Sequence, residues 1–130
     1  MKTKIRQRKE TKINKKKIFV VDDDEAILDS FQIMLQDEGY EVETSLNGKV
    51  LETMVEGLPD IILLDIWLSG INGGDVCAGL KKRKLTKKIP IIIVSANKDT
   101  KKIAMQCGAD AFIYKPFSIK DLLALIKKHT

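Results

Sequence analysis

Three consecutive aspartates, Asp22, Asp23 and Asp24, close the apolar run Ile18–Val21 in the stretch "KIFVVDDDEAIL" (17–28). Neighbouring carboxylates repel. One of them would serve as a helix cap, but the others need a cation, a proton or open water. A fourth acid, Asp65, closes "DIILLD" (60–65), Ser95 closes "IIIVS" (91–95), and Lys115 follows "AFIY" (111–114). Each of these polar side chains stands directly after an apolar run. Carboxylate oxygens from Asp23 and Asp65, some acting through water, suit Mg2+, a hard cation that keeps several waters of its own. An ammonium and a hydroxyl beside such a carboxylate describe a place for an anion bound next to it or onto it. A phosphoryl group fits: an Asp oxygen attacks phosphorus, and the metal and the Lys stabilise the equatorial oxygens. Asp24 reads best as the N-cap or first-turn acid of the following helix.

For these groups to meet, the elements carrying them must end on one rim. From Lys17 onward short apolar runs alternate with amphipathic segments. Strands are expected at 18–21, 40–44, 60–64, 91–94 and 111–114, with helices at 25–38, 47–57, 74–83, 100–107 and 119–129. In the first helix Ile27, Leu28, Phe31, Met34 and Leu35 fall at helical spacing, and Gly39 is a natural stop. In the second, Val50, Leu51, Met54 and Val55 are expected to face inward. Ser118 and Asp121 form a capping-box pattern for the last. Three strands are apolar on both faces, as in a parallel sheet covered by helices on each side. The result is a doubly wound (βα)5 sheet of the α/β class, whose site lies at the carboxyl ends of its strands. The basic "KKRKLTKK" (81–88) reads as a solvated helix end and loop.

The length of 130 residues suits one domain. No apolar run approaches membrane-spanning length and no secretory h-region follows the N-terminus, so a cytoplasmic location without membrane insertion is expected. Cys77 and Cys107 form no CxxC and read as buried free thiols in the core. The lone histidine, His129, argues against a His-based metal site or triad. Residues 1–17 carry nine Lys/Arg and one Glu, whereas 18–130 carry fourteen Lys/Arg and seventeen Asp/Glu, so the net +5 belongs to the leading stretch. Residues 1–16 are read as a basic, mobile tail, a solvated leader or an arm for anionic partners, preceding a domain at 17–130.

The pieces "VVDDDE" (20–25), "PDIILLDIWLSGINGGD" (59–75), "IPIIIVSAN" (89–97) and "GADAFIYKPF" (108–117), in this order, resemble the receiver domain of two-component response regulators. The resemblance covers about residues 17–129. It implies a flavodoxin/CheY-like sheet of strand order 2-1-3-4-5. It also implies a signalling switch that catalyses only its own phosphorylation and dephosphorylation. On this resemblance Asp65 is the phosphoacceptor, Asp23 a direct Mg2+ ligand, Asp22 an indirect one, and Trp67 a backbone-carbonyl ligand. Ser95 is the switch hydroxyl, Lys115 bridges to the phosphoryl group, and Phe112 is the aromatic switch. Lys115-Pro116 should be a cis peptide. Trp67 and Asn97, two positions after Asp65 and Ser95, should flank the path of hydrolytic water and slow dephosphorylation. The implied partners are a sensor histidine kinase or histidine phosphotransfer protein and an output protein, the latter read by the face of 100–107, 111–114 and 119–128.

The chain departs from the family's Asp-x-x-Met-Pro pattern at Leu68 and Ser69, and loss of that Pro should loosen the turn. Ser95 stands where Thr is commoner. The chain ends after its last helix, so direct DNA binding is not expected of it, while a phosphorylation-dependent dimer is compatible with it. A receiver excised from a larger DNA-binding regulator or hybrid kinase is the alternative. An Asp-nucleophile phosphatase would want a second Asp at Trp67, and nucleotide or flavin binders a glycine-rich loop where "DDDEAIL" stands.

Overall fold

The alternation of apolar and amphipathic segments resolves, in a computed structural model that describes residues 15–130, into one parallel sheet with cover on both faces. Its strands are β1 (Lys17–Val21), β2 (Glu41–Ser45), β3 (Ile61–Leu64), β4 (Ile91–Ser95) and β5 (Ala111–Tyr114), in the order β2-β1-β3-β4-β5. This is the 2-1-3-4-5 arrangement expected. The central strands β1, β3 and β4 are buried almost throughout, because their β-branched and leucine side chains meet helices above and below. In-register pairs such as Val20 with Leu63 and Leu63 with Ile92 level the strands, so their carboxyl ends form one rim.

The helices are α1 (Glu25–Asp37), α2 (Gly73–Lys82), α3 (Thr100–Cys107) and α4 (Ile119–His129). Leu28, Phe31 and Leu35 of α1 join Leu122 and Ile126 of α4 over one face of the sheet. Val76, Cys77 and Leu80 of α2 join Ala104 and Cys107 of α3 over the other. Capping follows the sequence: Asp24 accepts the Ala26 N–H at 2.9 Å, and Ser118 accepts that of Asp121 at 3.0 Å.

The expected second helix, 47–57, does not form, so the described residues hold four α-helices rather than five. In its place a single 3-10 turn spans Lys49–Glu52. Its apolar spacing is helical, but Val50, Thr53 and Val55 are β-branched. Gly48 and Gly57 take positive φ, 75° and 67°, which breaks the chain at both ends. Leu51 is fully buried, whereas Val50 and Val55, expected inward, are 45% and 69% exposed. The Leu51 and Met54 carbonyls are met by Arg83: its guanidinium donates to the first at 3.3 Å and also to the second.

The stretch 81–88 is mostly exposed, as expected of a solvated helix end and loop, but Lys81, Arg83 and Thr86 are tied down. Lys81 pairs with Asp110 at 2.7 Å and donates to the Ile89 carbonyl at 2.9 Å, and the buried Thr86 hydroxyl donates to the Leu80 carbonyl at 2.7 Å. The expectation of a basic mobile tail falls almost wholly on residues 1–14, outside the described residues.

Candidate functional site

At the carboxyl end of β1 the chain turns sharply into α1, and each of the three aspartates takes a different task. Asp24 caps the helix. Asp22 is 2% exposed, and its Oδ1 accepts the Asp24 N–H at 3.0 Å, which aims Oδ2 along the rim. Asp23 stays exposed. Asp65, one residue past β3, has Oδ1 held by the Ile66 N–H at 2.7 Å. Lys115, one residue past β5, reaches back across the rim: its Nζ lies 3.1 Å from Asp22 Oδ2 and 3.4 Å from Asp65 Oδ2. The Lys115–Pro116 peptide is cis.

Burial pushes the Asp65 carboxyl upward, the Lys115 charge pulls it back, and the Asp22 charge adds to the rise. Burial alone would lower Lys115, but the Asp65 charge and the Asp22 hydrogen bond outweigh it and hold the ammonium above its ordinary range. One carboxylate oxygen from each of Asp22, Asp23 and Asp65 lies within 4.8 Å of the others. Three hard oxygen donors, one of them solvent-facing, fit a small dication that retains waters.

Ser95 ends β4, 2% exposed; its Oγ accepts the Asn97 N–H at 3.1 Å. Asn97 turns inward on its own loop, its Oδ1 accepting the Asp99 N–H at 2.7 Å. Phe112 is half-buried, with its ring edge-on to Tyr114 at 5.5 Å. Trp67 is 59% exposed and pairs with Asn72 in a two-residue ribbon, 67–68 against 71–72.

That ribbon holds a residue the sequence reading missed. Ser69 and Gly70 both take positive φ, 45° and 86°, the signature of a type I′ hairpin turn. The turn is therefore tight rather than loosened, and a proline at 69 could not adopt it. From this position Ser69 donates its N–H at 3.0 Å and its hydroxyl at 2.9 Å to Asp23 Oδ2. The Ser-Gly dipeptide between Trp67-Leu68 and Ile71-Asn72 was the available signal. Gly73, opening α2, lies so close behind the acceptor that a Cβ there would stand 2.0 Å from the Asp65 carbonyl oxygen.

Residues 18–127 match the family described as the response regulator receiver domain. The chain belongs to that family. It is 38% identical over 114 residues to the phosphate regulon transcriptional regulatory protein PhoB of Rhizobium meliloti (strain 1021), covering 85% of this chain and 50% of that protein. The chain thus spans about half the length of this relative. A putative response regulator from Chloroflexus aurantiacus J-10-fl superposes with a TM-score of 0.82 at 28% identity, covering 89% of this chain and 98% of the other. The response regulator TrrA of Thermotoga maritima, crystallised with Mg2+-BeF, superposes with a TM-score of 0.78 at 34% identity, covering 88% and 99%. As a receiver domain, this chain carries its acidic cluster at the strand ends where ligands of doubly wound sheets bind.

Proposed function

We propose that this receiver accepts a phosphoryl group on Asp65 from the phosphohistidine of a sensor kinase or phosphotransfer protein. The observation that supports it is the cluster itself: three carboxylates within 4.8 Å, with the Lys115 ammonium against two of them. Asp65 Oδ1 is held by Ile66, which leaves Oδ2, on the Lys115 side, as the attacking atom. It bonds to phosphorus as the bond from phosphorus to the imidazole nitrogen breaks. Lys115 then shifts its ammonium from carboxylate to phosphoryl oxygen. Asp22, Asp23 and Asp65 would hold Mg2+, with the Trp67 carbonyl as a further donor. When bound, this ion supplies positive charge to the phosphoryl oxygens and offsets the repulsion among the acids. An apolar cavity of about 450 Å3 borders the site through Lys115, lined by Ile27, Phe31 and Met34 of α1 and by Pro116 and Phe117. Helices of the phosphoryl donor would rest there.

In the signalling step Ser95 leaves the Asn97 N–H for the phosphoryl group, and Phe112 moves into the space released. The face built from α3, β5 and α4 then has two arrangements biased by one new charge, and the output partner reads one of them. Trp67 and Asn97 slow hydrolysis: the indole covers the approach to the acyl phosphate, and an amide is no base at neutral pH. Faster loss of phosphate in Trp67→Ala is the expected sign. If the chain is part of a longer transcriptional regulator, as its relative's name indicates for that protein, this face docks a further domain.

The test is incubation with acetyl phosphate and Mg2+. Wild type should gain one hydroxylamine-sensitive phosphate, and Asp65→Asn, with its fold intact, should gain none. Equal labelling of the two would overturn the assignment.

A further inference from the structure

α2 and α3 lie side by side over one face of the sheet, and each brings one cysteine to the seam. Cys77, in the middle of α2, is fully buried, while Cys107, the last residue of α3, keeps 7% of its surface. The two are 30 positions apart in the chain, yet the Cys77 thiol donates to the Cys107 carbonyl oxygen at 3.4 Å, while the Cys107 thiol donates to the Ala104 carbonyl at 3.5 Å. Neither has a task in phosphoryl transfer. Their access differs. A polar groove of about 200 Å3 opens between the helices, lined by Asn72, Asp75, Ile103, Gln106 and Cys107, and Cys77 is not among its walls.

The pair is also asymmetric in charge. The neighbouring Cys77 thiol draws the Cys107 thiol down to about 7 against the effect of its burial, with help from the Ala109 N–H and the Lys81 charge. The neighbouring Cys107 sulfur and burial push the Cys77 thiol upward. The carboxyl end of α3 opposes a thiolate at Cys107. Cys107, the less buried of the two and a wall of the groove, is the one a small solute can reach, and Cys77 sits behind it.

We propose that Cys77 and Cys107 are a dithiol site for small hydroperoxides, with Cys107 attacking and Cys77 resolving. The Cys107 thiolate bonds to one peroxide oxygen; the O–O bond breaks, and the other oxygen leaves with a proton as water or alcohol. The resulting sulfenic acid is then attacked by the Cys77 sulfur. The S–O bond breaks, water leaves and the disulfide forms. Two thiols lose two electrons and two protons, and the peroxide takes both. The disulfide ties α3 to α2. Resting on the proposed switch, in which α3 moves with the signalling face, oxidation holds that face in its unphosphorylated arrangement.

The experiment treats the folded, reduced full chain with hydrogen peroxide, then denatures it and measures mass and free thiols. The expected product is a monomer lighter by two hydrogens, with both thiols blocked to alkylation and recovered by dithiothreitol. Cys77→Ala should stop at a dimedone-reactive Cys107, and Cys107→Ala should leave Cys77 unoxidised. A wild-type chain that keeps both thiols after peroxide, or forms only interchain links, overturns the site, and so does oxidation of Cys77 at the wild-type rate in Cys107→Ala. Asp65→Asn should form the disulfide as fast as wild type, which separates this site from the phosphoryl reading. Beryllofluoride should shift the NMR signals of α3 in the reduced chain and not in the oxidised one. Equal shifts in both would remove the clamp.

Discussion

α2 has a neighbour on each side, and the two are built in opposite ways. On one side the connection between β2 and β3 has no helix, only the 3-10 turn at Lys49–Glu52, and it is stapled to the end of α2 by the Arg83 guanidinium. On the other side the connection between β4 and β5 carries α3. That helix bonds its interior backbone to itself and meets α2 at the Cys77–Cys107 contact, with Lys81 of α2 paired to Asp110 just beyond it. Asp99 supplies no side-chain cap to α3. A segment that cannot satisfy itself must be fixed by its neighbour. One that can is free to shift as a unit, which is what a signalling element needs. The irregular side of the sheet is thus the anchored side, and the regular side carries the proposed switch.

The comparison depends on α2 being a fixed pivot, so the largest expected effect comes from displacing it. Gly73→Ala places a methyl 2.0 Å from the Asp65 carbonyl oxygen, against backbone rather than a flexible side chain, so strand or helix must shift. A loss above about 4 kcal/mol is expected by urea unfolding, most of the stability of a marginal small domain. A loss under about 1 kcal/mol would mean α2 is free to move, and the distinction between its two sides would fall with it.

Leu51→Ala comes next. Leu51 is the fully buried residue of the 3-10 turn, in the same core layer as Val76 and Leu80. Its truncation should cost about 3 kcal/mol, the ordinary result for a buried leucine whose cavity only partly collapses. Arg83→Ala should cost about 2 kcal/mol, because the Leu51 and Met54 carbonyls lose a charged donor while staying half-buried. Arg83→Lys should recover less than half of that, since one ammonium lacks the fork that reaches two carbonyls. Equal stability of Arg83→Ala and wild type would show that water already serves those carbonyls.

What could be read in advance divides along the same line. β1, β3 and β4 announce themselves as apolar runs, and Asp22, Asp65, Ser95 and Lys115 announce themselves by following such runs directly. In a parallel sheet, position after a strand is enough to place a side chain on the rim, so the cluster was legible. The contact of Ser69 with Asp23 was not, because it spans 46 positions and depends on a turn with φ of 45° at a serine. The meeting of Cys77 with Cys107 needs the packing of two helices, about which neither local sequence says anything. The helix expected at 47–57 failed for a related reason. Apolar spacing reports only which residues want to be inside. At 47–57 the β-branched side chains and the glycines at either end decided the backbone, and the distant Arg83 made the outcome tolerable.

The smallest effect separates the two readings of that segment most sharply. If 47–57 were a helix facing the core, Val55 would be packed inside, and Val55→Ser would remove two methyl groups from an apolar layer and add a hydroxyl with no partner. The cost would then exceed about 2 kcal/mol. In the structure Val55 is 69% exposed and takes no part in either core layer. Val55→Ser should therefore change the urea midpoint by the equivalent of less than about 0.5 kcal/mol, in the range of ordinary surface substitutions. Serine is also as acceptable as valine to an irregular backbone. The measurement belongs beside Leu51→Ala in the same buffer, since the two sites are four positions apart and differ in what surrounds them. A near-silent Val55→Ser with a costly Leu51→Ala fits a turn pinned through one buried residue. Two costly substitutions would restore the helix and leave Arg83 without its structural task.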